Sequence, residues 1–153
     1  MAMWMLFIGL LFPLVILASM GYRTSILYFA ADSAARKAAK APTYTDAVSR
    51  VSTALTTNLA TFTGISAASP TISVLSKPIT GGASKITKGK LAAGSVDTSK
   101  NLYFVITTVD ADLDPLVKFN SMWMGNSIPG LTGPFHLQLN LESYCENPNG
   151  LTN

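Results

Sequence analysis

The sequence predicts an α+β protein in which a long N-terminal hydrophobic helix continues into an amphipathic helix, both packed on a small antiparallel β-sheet domain. Three observations carry this. Residues 1–22 read MAMWMLFIGLLFPLVILASMGY and contain no charged side chain; about 20 such residues cross roughly 30 Å of hydrocarbon as a helix. Helix-compatible sequence then runs on through ILYFAADSAARKAAKA to Ala41. From Ile65 the vocabulary changes to β-branched residues, serine, glycine and proline, the composition of strands and turns.

The elements follow in order. Pro13 lies inside the apolar run, where it removes one backbone hydrogen bond and crowds the carbonyl four residues earlier, so a kink or local melting is expected near Gly9 to Pro13. Beyond Tyr22, alanines recur at 30, 34, 38 and at 31, 35, 39. Such ridges let helix backbones approach closely, or they reflect alanine's helix propensity. Pro42 ends this helix, and Thr43 or Thr45 is placed to cap the next one. From Val48, the residues Val51, Leu55, Leu59 and Phe62 recur at three and four, which gives one apolar helix face running to Gly64.

Among the strands, Ile72 to Ile79 is interrupted at Pro78, and LYFVITTV over Leu102 to Val109 is stronger. Thr80 to Lys100 is rich in Gly, Ser, Thr and Lys and reads as an exposed hairpin arm or mobile loop. Phe135, Leu137, Leu139 and Leu141 alternate with His136, Gln138, Asn140 and Glu142, the signature of a strand with one buried and one wet face. The tail ENPNGLTN is expected to fray. The organisation is therefore a transmembrane or filament-core helix over 1–22, an Ala-rich and amphipathic helical segment over 23–64, and a β-rich domain over 65–153.

Composition narrows the function. A chain of 153 residues holds these helices and one core, not two enzymatic domains. Only 12% of residues are charged, against about 25% in soluble domains. The formal charge of +3 is spread thinly, with loose clusters at Arg36, Lys37, Lys40 and at Lys85, Lys88, Lys90. Neither is interleaved with aromatics, which argues against nucleic-acid binding. Cys145 is the only cysteine, so neither an intramolecular disulfide nor a cysteine-based metal site is available. A secretory signal peptide is opposed by the length of the apolar run and by the lack of a preceding Lys or Arg. The basic residues after the run would place the C-terminal domain in the cytoplasm by the positive-inside rule, unless a basic leader has been removed.

Few residues suggest chemistry. Asp110, Asp112 and Asp114 form a D-x-D-x-D run, a weak candidate for a hard cation. An EF-hand loop then needs Gly and, at its twelfth position, Glu, where this chain has Pro115 and Ser121. A solvated strand exit is the simpler reading. His136 shares a strand face with Glu142, but residues six apart on a strand are about 20 Å distant, too far for a catalytic pair. No nucleophile elbow, phosphate loop or dinucleotide fingerprint is present. The sequence thus gives no acid, base and nucleophile set and no cofactor. Trp123, flanked by Met122 and Met124, suits either a contact surface or the core.

The order of features resembles the TadE-like family of tight-adherence pseudopilins, relatives of the type IV pilins. The likeness is carried by LFIGLLFPLVILASMGY with its internal proline, the Ala-rich basic stretch AADSAARKAAKA, the strand within NLYFVITTVDADLDPLV and the closing strand FHLQLNLESYCENP. It spans nearly the whole chain and rests on hydropathy and small-residue pattern. It implies a non-enzymatic structural subunit of a fimbrium, held in the bacterial cytoplasmic membrane and then assembled into a cell-surface filament used in adhesion. The implied partners are membrane lipid before assembly, the pilus assembly machinery, and copies of itself in a helical homopolymer. The assembly interface would comprise Trp4, Leu6, Phe7, Leu10, Leu11, Pro13, Leu14 and Leu17, with Ala30, Ala34 and Ala38 above them. Type IV pilins usually have Glu as the fifth residue of the mature chain; here it is Met5, and no acidic residue precedes Asp32. Either hydrophobic packing replaces that charge, or the chain is a non-polymerising, membrane-anchored accessory protein of an assembly machine.

Overall fold

A computed structural model describes residues 2–116, 129–130 and 133–153, with the side chains of residues 2–8 and of Phe12 left out. Two helices come first. α1 spans Ala2–Ala39 and α2 spans Tyr44–Leu59. At 1.5 Å per residue α1 is about 57 Å long, and it crosses residue 22 without a break. It is also helical through Pro13. The expected melting does not occur there: proline deletes a single bond to the carbonyl of Gly9, and a residue without a Cβ lets the backbone adjust.

Lys40 to Thr43 turn the chain into α2. Thr43 is extended, and its hydroxyl accepts a hydrogen bond from the Asp46 amide at 3.1 Å. Asp46 also puts a negative charge on the first turn, where the helix dipole favours it. α2 buries Ala47, Val51, Ala54 and Leu55. It ends at Leu59, so Phe62 and Gly64 lie beyond it rather than on its apolar face.

Among the described residues five strands form one antiparallel sheet: β1 Ile65–Ala67, β2 Thr71–Pro78, β3 Lys85–Lys88, β4 Asn101–Leu113 and β5 Phe135–Tyr144. β4 is the centre. β5 lies along one side of it; β1 and β2 follow each other along the other side, and β3 extends the sheet beyond β2. Pro78 closes β2 rather than interrupting it, and part of the Thr80–Lys100 arm is a strand, its return made possible by Gly81 and Gly82 at positive φ. β4 outlasts the expected Val109, because β1 supplies a partner for Ala111 to Leu113.

One sheet face is core. Tyr103, Val105, Thr107, Val109, Ala111 and Leu113 of β4 are buried, together with Ile72 and Val74 of β2. α1 packs on this face over β4 and β5, and α2 packs on α1. The tail is also part of the core, contrary to the fraying expected. Cys145 and Leu151 are buried, a 3-10 turn forms over Pro148–Thr152, and the chain is pinned by Leu91 N–H to Leu151 O at 2.9 Å and Tyr44 N–H to Asn153 O at 3.0 Å. Burial pushes the Cys145 thiol above its ordinary pKa, so it is a poor nucleophile.

Candidate assembly surface

The alanine ridges face inward. Ala30, Ala34 and Ala38 are 3%, 0% and 0% exposed, and Ala31, Ala35 and Ala39 are buried with them. Those three positions therefore lie in the subunit's own core and not on an interface between subunits. The physical reason is the sandwiching of α1: its neighbours α2, β4 and β5 can all approach only where side chains are small.

Below the domain α1 is apolar and open on nearly every side. Leu10, Leu14 and Leu17 are 62%, 58% and 70% exposed, Leu11 and Pro13 are exposed beside them, and Trp4, Leu6 and Phe7 have side chains outside the described residues. The side that bears Leu10, Leu11 and Leu14 continues through Gly21, Tyr22, Ser25 and Tyr28 to Phe29, which is 71% exposed. This upper part was not among the expected interface residues, although its spacing of three and four continues that of the leucines. Gly9–Ala39 is the one described helical stretch long and apolar enough to cross a membrane, by length and composition.

Arg23 fixes the level at which the domain begins. Its guanidinium donates to the main-chain carbonyl of Asp114 at the end of β4 and lies against Gly64; the Asp114 amide in turn donates to the Gly64 carbonyl at 2.9 Å. Tyr28 and Phe29 lie one to two turns beyond Arg23, alongside the domain. They are therefore on a stretch of helix that a bilayer ending below the domain would not cover.

The aspartate run is taken up by the sheet. Asp110 and Asp112 are within β4, not at its exit, and face the same way as His136 and Gln138 of β5. Gln138 Nε2 donates to Asp110 Oδ1 at 2.7 Å, and His136 Nδ1 lies 3.0 Å from Asp112 Oδ1. His136 Nε2 is 4.0 Å from Asp110. Among the described residues a carboxylate thus faces each ring nitrogen. Ser66 lies opposite Asp112 on the side away from His136, so the aspartate stands between serine and histidine, the wrong order for hydroxyl activation. Among the described residues no group of three or more His, Cys, Asp or Glu is arranged to hold a metal ion. Met122, Trp123 and Met124 lie outside the described residues.

The outer sheet face has a second, apolar end. Phe104 and Tyr144 meet edge to face with ring centroids 5.7 Å apart, Lys77 Nζ sits 4.5 Å from the Phe104 ring centre, and Lys77 pairs with Glu142. Ile86 on β3 and Tyr144 on β5 are exposed at the two edges. The cross-strand partners of His136 and Glu142 could not be found from the sequence, because they depend on a register between strands. The chain matches no family model, and no curated protein or solved structure is significantly similar to it.

Proposed function

We propose that this chain is a pilin-like structural subunit, held in a membrane by the first half of α1 and polymerising into a surface filament through packing of α1 helices, without catalysis. The observation that carries the reading is the continuation of the open apolar face past Arg23 to Tyr28 and Phe29. A helix that serves only as an anchor becomes polar on its outer face once it leaves lipid. Here Tyr28 and Phe29 stay exposed beside the domain before Asp32 and Arg36 turn the outer side polar, and another helix is the fitting cover for them.

The magnitudes agree. Burying Leu10, Leu11, Leu14, Leu17, Tyr22, Tyr28 and Phe29 would contribute on the order of 10 kcal/mol at 1.5–3 kcal/mol for a large apolar side chain. A bundle of such helices would bury on the order of 1,000 Å² per subunit, enough for a stable contact. Lipid and neighbouring copies are interchangeable covers for residues 9–18, so one helix serves before and after assembly.

Phe29→Glu separates this reading from a non-polymerising accessory protein, because Phe29 lies beyond Arg23, past the first half of α1 that this reading places in the membrane, and outside the core. The expected result is normal membrane retention with loss of fibres from sheared surface material, seen by electron microscopy and verified by mass spectrometry. Fibres of unchanged yield from the variant, or none from the wild type, would leave the anchored accessory protein as the better description.

A further inference from the structure

The sheet ends in two unlike edges, and their chemistry is complementary. At one edge is β3, within a stretch from Ile79 to Val96 that holds Lys85, Lys88 and Lys90 and no acid. At the other is β5, whose outer face carries Glu142 with Asp110 and Asp112 one strand behind. Among the described residues neither strand has a neighbour on its outer side. β5 is ten residues long, and of the usual protections of an edge it lacks proline, lysine and any bulge in its register with β4.

The backbone adds a register. Ile79 N–H donates to Lys100 O at 2.8 Å and Cys145 N–H to Tyr103 O at 2.9 Å, and both pairs stand directly opposite in the sheet. Hydrogen-bonded pairs recur at every second residue of an antiparallel ladder. Odd-numbered residues of β2 are therefore bonded to β4 and even-numbered ones to β3, which leaves Ile86 and Lys88 with backbone groups pointing off the edge. On β5 the same count leaves Glu142 and Tyr144 pointing outward.

We infer that these edges join, β3 of one copy pairing antiparallel with β5 of the next, with Ile86 opposite Tyr144 and Lys88 opposite Glu142. All four side chains lie on the outer face, so an aliphatic residue meets an aromatic one and a cation meets a carboxylate, both favourable cross-strand pairs. Direction agrees as well. β3 runs parallel to β4 and antiparallel to β5, so a copy in the same orientation presents β3 correctly, and all α1 helices point one way. Pairing β5 with β5 across a two-fold axis would instead turn one chain over, which two chains anchored in one membrane do not allow. The contact is head-to-tail and non-closing. It builds on the filament reading by naming how the outer domains meet.

The test is disulfide trapping in membranes and sheared fibres of the full chain. Ile86→Cys with Tyr144→Cys should give, on mild oxidation, a ladder of dimers, trimers and higher species on non-reducing gels. Wild type, with its buried Cys145, and each single variant should stay monomeric. Lys88→Glu should abolish the ladder in the double-cysteine chain, and adding Glu142→Lys should restore it. Fibres without a ladder would overturn the edge pairing and leave the filament standing. A ladder that stops at the dimer would overturn it too. A ladder without fibres would support the pairing and count against the filament, and absence of both in every variant would sink both.

Discussion

Arg23 donates to the main-chain carbonyl of Asp114, a residue 91 positions later, and so ties the point where α1 leaves the domain to the end of the central strand. Guanidinium donors to a carbonyl are charge-assisted, and removing one leaves a partly covered acceptor unmet. Arg23→Met, which keeps most of the apolar stem, should lower stability by about 1.5–3 kcal/mol. Chemical denaturation in detergent measures this, and an unchanged midpoint would mean that water replaces the guanidinium without loss.

Thr107 faces the core from β4, opposite Ile72 of β2 and Leu141 of β5. It is fully buried, and among the described residues its hydroxyl has no hydrogen-bond partner. An orphaned buried hydroxyl costs about 1–3 kcal/mol, so Thr107→Val, which keeps the branched shape, should raise the melting temperature. A lower one would reveal a partner for the hydroxyl in solution.

Gly150 sits in the 3-10 turn against the end of the α1–α2 connection. A Cβ there would collide with the Pro42 carbonyl oxygen, and main-chain atoms cannot swing aside as a flexible side chain would. Gly150→Ala should therefore destabilise the fold by about 1–3 kcal/mol. It should also speed hydrogen exchange at Leu91 and Tyr44, whose amides are held by the tail.

Asp97 organises the turn before β4. Its carboxyl is held below the usual carboxylate range, chiefly by the hydrogen bond from the Ser99 hydroxyl at 2.6 Å, with Lys100 and the Ser99 amide adding to the effect. A depressed folded-state pKa stabilises the turn above the unfolded value, near 4, and that stabilisation is lost as pH falls through the folded value. Hydrogen exchange at Ser99 should accelerate relative to its intrinsic rate below about pH 4. Asp97→Asn should remove this pH dependence, and a mutant profile that still tracks the wild type would assign it elsewhere.

What could be read from the sequence was local. The Thr43 cap, the interruption at Pro42 and the alternation from Phe135 to Glu142 are set by neighbours within a few residues, and the structure has all three. The alanine ridges were visible as a pattern, but whether they faced a neighbour or the core depended on how α1 sits between α2 and the sheet. Along its own strand His136 has only the distant Glu142, whereas its partners Asp110 and Asp112 come from β4. The tail has turn chemistry, yet Leu151 finds a place beside Leu91 that no local rule specifies. Arg23 read as one thinly spread charge, because its acceptor is a main-chain atom far along the chain.

The burial of both alanine ridges has a mechanical consequence. A pull along α1 enters the domain as shear across several helical turns at once, since Ala30, Ala34 and Ala38 move only if the whole seam slides. Peeling the residues away one after another would need force across the axis, and a tensile load on a rod supplies little. Small side chains bring the backbones close and so stiffen the joint, so a tethered subunit would transmit tension to its sheet before the helix pulls free.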